Sequence, residues 1–276
     1  MPAGLLPRAI AASATAQQTA VICGPSLGGL MYALGPQVVY AVCALMFAAA
    51  GVLVCLVRIA ARRDVRRPVT LATLFAGFRY IRRNPVVLGA ISLDLFAVLL
   101  GGVTALLPIY ARDILMAGPW ALGLLRSAPA AGALATSVVL ANRAIASRAG
   151  AVMFAAVGMF GLASVVFALS TSVLLSCLAL MVYGASDAVS VVIRQSLIQL
   201  RTPDDMLGRV MAVNALCTGS SGTLGEFRAG VVAAWLGAVP SALIGGLGAI
   251  VVMLVWMRAF PQLRRVDRLA PAAEGP

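Results

Sequence analysis

Apolar positions in this chain come in long runs, not in the narrow stripes of a soluble amphipathic fold. Segments near the roughly 20 residues that cross a bilayer as a helix recur along its whole length. Eight such spans are read, at about 9–34, 37–57, 86–110, 119–141, 151–169, 173–199, 209–234 and 239–258. The first is polar for a membrane helix, carrying Ser13, Thr15, Gln17, Gln18 and Thr19. Side chains of that kind belong inside a bundle, against protein or a water-filled cavity. The pattern predicts an all-α polytopic membrane protein of about eight transmembrane helices.

The polar punctuation between the runs fixes an expected orientation. With the N-terminus inside, the inward segments hold Arg8, the group Arg58, Arg62, Arg63, Arg66, Arg67, Arg79, Arg82 and Arg83, then Arg143, Arg148, Arg201, Arg209, Arg258, Arg264, Arg265 and Arg268. The outward segments hold Arg112 alone. That is a strong positive-inside bias, and gaining or losing one span would scramble it. Both termini are therefore expected to be cytoplasmic. The longest loop, 58–85, contains Val69–Arg83 (VTLATLFAGFRYIRR), whose helical apolar spacing and basic end predict an amphipathic helix on the inner membrane surface, close to anionic headgroups. The same loop also reads as a linker between two bundles. The tail 259–276, ending LAPAAEGP, is expected to be disordered.

One polar turn organises the second half of the chain. In Arg194–Ala212, RQSLIQLRTPDDMLGRVMA, Pro203 breaks one helix, and Asp204 and Asp205 are placed to cap the next. A fainter copy stands near the N-terminus. Leu6–Gly29 aligns without gaps on Leu207–Gly230, and Leu6, Arg8, Ala11, Ala14, Gly24 and Gly29 each meet an identical residue. Both copies carry small residues four apart, Ala20, Gly24 and Gly28 in one and Ser221, Gly225 and Ala229 in the other. That spacing lets membrane helices approach closely. Both copies run in the same direction through the membrane, so the repeat is parallel, one architecture of secondary transporters. The repeat unit, about 200 residues long, holds six spans. The expected organisation is then the last two helices of an N-terminal half (1–57), a basic cytoplasmic linker with its amphipathic helix (58–85), a complete six-helix C-terminal half (86–258) and the tail (259–276). On a six-plus-six plan the first four helices are not in this chain.

Composition narrows the function classes. The chain of 276 residues is 62% hydrophobic and only 11% charged, with no His, and all its cations are arginines. A net charge of +12 raises nucleic acid as a partner. The arginines, however, sit in short segments between apolar runs, without interleaved aromatics, so no nucleic acid is expected. Cys23, Cys43, Cys55, Cys177 and Cys217 lie inside apolar runs with no CxxC pair, and read as buried small hydrophobes, not as disulfides or metal ligands. The N-terminus lacks the pattern of a secretory signal. No nucleophile elbow, phosphate loop or motif-spaced carboxylate pair is present, so neither enzyme chemistry nor a cofactor or metal is expected.

The residues now carry a family resemblance. The chain resembles a major facilitator superfamily (MFS) transporter from its fifth helix through its twelfth. The pattern R-Q-S-x-x-Q-x-x-x-P-D-x-x-x-G-R-V-x-A at Arg194–Ala212, with Gln195, Gln199, Pro203, Asp204, Gly208 and Arg209, resembles the branch containing bacterial enterobactin and macrolide exporters. The segment Gly24, Pro25, Ser26, Leu27, Gly28, Gly29 resembles the end of the fifth-helix antiporter motif, with Ala20 where that motif has a further glycine. LANRAIASRAG departs more from the loop-8/9 signature, having Asn142 and Arg143 where Asp-Arg is favoured. The resemblance implies export of a siderophore- or drug-like small molecule by alternating access, in exchange for protons, in the bacterial inner membrane, with lipid, substrate and protons as partners.

Ionisable residues inside the spans are the candidate sites, because they are costly there and commonly functional. Asp187 and Arg194, seven apart, share one helical face about two turns from each other, with Ser190 between. A carboxylate at mid-membrane loses hydration, which favours the uncharged acid and suits proton exchange, so Asp187 is the first candidate. A structural carboxylate paired with an arginine on another helix is the plainer reading. Arg194, near the inner end, is expected to snorkel to the headgroups. Glu226 occupies the place of Pro25 in the repeat and is expected to face a cavity. Arg228 lies about 200° around the helix from it and is expected to snorkel outward. Asp94 and Arg126 complete the cavity candidates. Tyr183, Phe96 and Trp120 read as packing or as cavity lining. A non-transporting fragment, or a membrane interaction subunit that borrows the rest of its bundle from a partner or a second copy, is the alternative function.

Overall fold

The computed structural model describes residues 20, 23–25, 27–29, 31–32, 34–56, 71–142 and 148–266. The described residues form helices and short connections. In chain order these are α1 (Pro36–Leu56), α2 (Leu71–Arg83), α3 (Pro85–Gly101), α4 (Pro119–Asn142), α5 (Ala149–Leu169), α6 (Val173–Arg201), α7 (Asp204–Leu236), α8 (Ala238–Ala259) and a final turn α9 (Pro261–Arg264). Beyond Gly101 the path of α3 continues through a 3₁₀ turn (Val103–Leu106), a short α turn (Leu107–Ile109) and a wide π turn (Tyr110–Ile114). Among the described residues six stretches are long and apolar enough to cross a membrane: Pro36–Leu56, Pro85–Ile114, Pro119–Leu140, Ala149–Leu169, Val173–Arg201 and Ala238–Ala259. Helix α7, at 33 residues, is as long but more polar. Most of the expected first span, and with it Leu6, Arg8, Ala11 and Ala14 of the N-terminal repeat copy, lies outside the described residues.

Helices α3 to α8 pack as one bundle. A core at the arginine-rich end joins Leu93 and Ala97 of α3, Met153 and Phe154 of α5, Ile193 and Leu197 of α6 and Val252 of α8. A second core at the opposite end joins Leu106 and Tyr110 beyond α3, Leu125 of α4, Phe167 of α5 and Leu180 of α6. Lipid tails are as apolar as leucine, so close backbone approach supplies much of the association. Glycine makes that approach possible at the α4–α6 seam. A Cβ on Gly132 would collide with the Met181 carbonyl, and one on Gly184 with that of Pro129. The stripe Ser221, Gly225, Ala229 is buried against α3, where a Cβ on Gly225 would stand 2.7 Å from the Val98 carbonyl oxygen.

Three local outcomes differ from the sequence expectation. Asp204 begins α7, and Pro203 holds the position before it and offers no side-chain cap to that helix start. The turn is therefore shorter than the capped one expected, because α6 runs on to Arg201. The chain after Arg258 does not leave the bundle at once. Leu263 and Val266 are buried in the first core, and the Gly150 amide donates to the Val266 carbonyl at 3.0 Å. Residues 267–276 lie outside the described part. Among the cysteines, Cys23, Cys43 and Cys55 are exposed and Cys177 and Cys217 are half-buried, because a membrane helix turns its small apolar side chains to lipid or to a crevice as readily as to protein.

Candidate functional site

The main polar cluster lies between α3 and α6. Asn84 caps α3, its side chain accepting from the Val87 amide, and so sets the helix face that carries Asp94 inward. Asp94 forms an ion pair with Arg194 of α6, and the two side chains are 4% and 2% exposed. This corrects the expectation that Arg194 reaches for the headgroups. The intra-helical spacing to Asp187 places both on one face, but the crossing of α3 brings a closer acid. Asp187 lies two turns along α6, half-buried, and lines a small cavity together with Asp94, Val98, Phe160, Ser186 and Ser190. Ser190 is buried and its hydroxyl has no hydrogen-bond partner. The cluster thus holds two acids and one guanidinium. Burying an unpaired charge is costly, so one proton on Asp187 would leave the cluster neutral.

A second polar region surrounds the break in α3. Gly101 ends the regular helix, and Gly102 adopts φ +41°, a left-handed conformation that glycine takes without steric cost. Carbonyls freed by such a break have no water to turn to inside a membrane. Arg228 of α7 answers them: its Nε donates to the Leu99 carbonyl at 3.2 Å and its Nη2 to the Leu100 carbonyl at 2.5 Å. The expected outward snorkelling of Arg228 is therefore replaced by a contact that holds a broken helix. Two residues earlier, on the other side of α7, Glu226 is exposed and accepts a hydrogen bond from the Thr104 hydroxyl at 3.1 Å. Arg126 of α4 is also exposed. Tyr183 stacks on Phe160 with ring centroids 4.2 Å apart, and Phe96 packs on Trp256 at 5.1 Å.

The described part of the antiporter-like segment meets α4. A Cβ on Gly29 would stand 2.9 Å from the Pro119 carbonyl oxygen and 3.0 Å from Gly123 Cα, whereas nothing lies within 4 Å of such an atom on Gly24 or Gly28. Pro25 is helical and half-buried. Between this segment, α4 and α6 opens an apolar crevice of about 710 Å³, lined by Cys23, Leu27, Trp120, Leu124, Cys177 and Met181 among others. Its size suits a small organic ligand.

At the elbow Gln199, Gly208 and Arg209 are exposed, and the buried Oε1 of Gln195 has no hydrogen-bond partner. The structure separates these residues from the Asp94–Arg194 cluster except at Arg194, which opens the motif. The polar features absent from the sequence reading are the Asp94–Arg194 pairing, the Arg228 contacts and the α3 break. The Gly101–Gly102 pair, followed by Pro108, is the signal that marks the break.

Comparison with known proteins agrees with this architecture. The sequence profile described as Major Facilitator Superfamily matches residues 1–226. The enterobactin exporter EntS of Citrobacter koseri is 31% identical over 209 residues, covering 74% of this chain and 49% of that protein. Its counterpart in Salmonella typhi is 28% identical over 205 residues, covering 73% and 48%, and that of Escherichia coli O81 is 28% identical over 211 residues with the same shares. This chain spans about half the length of the curated relatives it matches. With a profile match over most of its length and an all-helical, multi-spanning bundle, the chain belongs to the Major Facilitator Superfamily.

Proposed function

We propose that this chain works in the proton-driven export of a small molecule by alternating access, in the bacterial inner membrane with both termini cytoplasmic. The observation that carries the reading is the cluster of buried Asp94 and Arg194 with half-buried Asp187 between α3 and α6. Asp94 and Arg194 neutralise each other, and Asp187 is the acid left to take up and release a proton. A proton moving down the membrane potential supplies roughly 2.3 kcal/mol per 100 mV. Substrate would sit in the apolar crevice against α4 and α6, and Arg126 and Glu226, both exposed, are the charged candidates for contact with it. Enterobactin, the compound named for the relatives, is the first probe of this activity, and a macrolide the second. Uptake of either into everted vesicles under an imposed pH gradient would be measured with and without the protein. Uptake that requires the protein and the gradient is the expected result, and equal uptake in control vesicles would sink the proposal.

A second reading has its own observation. None of the described residues of α1 is buried, and its Tyr40, Leu45, Phe47 and Leu53 are exposed. Such a face suits a partner or a second copy that completes the bundle, which would make the chain a membrane interaction subunit. Crosslinking in membranes from single cysteines on α1 separates the two readings. A specific higher-mass product without transport favours the subunit.

A further inference from the structure

Helix α2 has two faces of different chemistry. Gly77, Tyr80 and Ile81 face the elbow between α6 and α7. A Cβ on Gly77 would stand 2.7 Å from the Arg209 carbonyl oxygen, so the helix lies directly on the start of α7. The Tyr80 hydroxyl donates to the Arg201 carbonyl at 2.5 Å, and Ile81 is buried with Val210 and Val213. On the opposite side, at helical spacing, stand Phe75, Phe78, Arg79 and Arg82. All four are exposed, Phe75 by 68% and Phe78 by 55%. Aromatic rings beside guanidinium groups are poorly placed in bulk water and in hydrocarbon alike. The boundary between acyl chains and phosphates suits both. The helix lies at the end of the bundle where α3 begins and α6 gives way to α7, which is also where the exposed Arg201 and Arg209 stand.

We propose that this face of α2 binds anionic phospholipid, and that the bound lipid steadies the α6–α7 elbow through Tyr80. Phe75 and Phe78 enter the acyl-chain boundary, and Arg79 and Arg82, three residues apart, hold the headgroup phosphate. A lipid with net negative charge is selected because a zwitterionic headgroup carries a cation that opposes the two guanidinium groups. The link to the elbow is mechanical. Tyr80 holds the last carbonyl of α6, and Pro203, the residue before α7, offers no side-chain cap, so the order of the turn depends on the seat of α2.

The test uses the full chain with Phe78→Trp in phosphatidylcholine vesicles containing equal mole fractions of brominated phosphatidylglycerol or brominated phosphatidylcholine. Quenching of the parent protein, with its native Trp120, Trp235 and Trp256, is subtracted. The expected result is quenching about twofold stronger or more from the anionic lipid. Arg79→Gln with Arg82→Gln abolishes that preference but keeps quenching by both lipids, and Arg79→Lys with Arg82→Lys retains it. Equal quenching by the two lipids in the parent background overturns the proposal, as does absence of quenching by either, which would mean protein covers the face. Hydrogen exchange of residues 201–209 reads the second part. Phosphatidylglycerol slows it in the parent, and Tyr80→Phe removes the slowing without changing the lipid preference. Exchange that is indifferent to phosphatidylglycerol in the parent overturns the link to the elbow.

Discussion

Asp94 and Arg194 compensate each other where neither would be tolerated alone. Removing one partner leaves a buried, unpaired charge, a change that typically costs about 3–5 kcal/mol. Arg194→Gln is therefore expected to lower the thermal unfolding temperature in detergent sharply, and Asp94→Asn added to it should recover most of the loss. If the double variant is no better than the single one, the ion pair is not what holds these side chains. Ionisable residues in apolar spans stand out in the sequence, and all of these were visible there. The partner of Arg194 was not. Spacing along α6 ranks Asp187 as its neighbour, whereas Asp94 is 100 positions away and meets it only because α3 crosses α6 at that height. Which helices cross, and at what depth, is a property of packing that a single helix does not encode.

The break in α3 makes the corresponding case for elements. Its continuous apolar run predicts one uninterrupted span. The Gly101–Gly102 pair nevertheless ends the regular hydrogen bonding, and Arg228 supplies donors to the freed carbonyls. Arg228→Leu leaves those two carbonyls without these donors and is expected to cost about 1–3 kcal/mol, read as a lowered unfolding temperature. Arg228→Lys, which keeps a donor, should lose less. At the α4–α6 seam the prediction concerns shape and not polarity. Gly184→Val forces a side chain into the Pro129 backbone and should destabilise by about 1–3 kcal/mol or more, with loss of a monodisperse peak on size exclusion. Small residues four apart pointed to one such seam correctly, at Ser221, Gly225 and Ala229. Ala128 and Gly132, and Gly184 and Ala188, carry the same spacing, but which helix each of them meets becomes legible only once both helices are in place. Helix α2 was legible as amphipathic. Its docking on the elbow was not, because the apolar face expected to meet lipid is divided between lipid-facing phenylalanines and the protein-facing Tyr80 and Ile81.

For the molecule as a whole, the alternation of arginine-rich and arginine-poor connections was the most informative feature of the sequence, since it constrains every span at once. It predicts an orientation that labelling can check. In a chain whose cysteines are replaced by alanine, Thr171→Cys should react with a membrane-impermeant maleimide in intact cells, and Arg265→Cys only after the cells are opened. Both positions are exposed, so accessibility differs only by side. The reverse pattern would invert the proposed topology and with it the direction of transport. The central claim is that one excess acid in the core, Asp187, couples substrate movement to protons. The most direct measurement is the pH gradient of energised everted vesicles, followed with a fluorescent weak base while the probe compound is added. The wild-type chain is expected to dissipate the gradient on addition of the probe, and Asp187→Asn, folded and inserted to the same level, is expected to leave it standing. Equal dissipation by the variant would contradict the account.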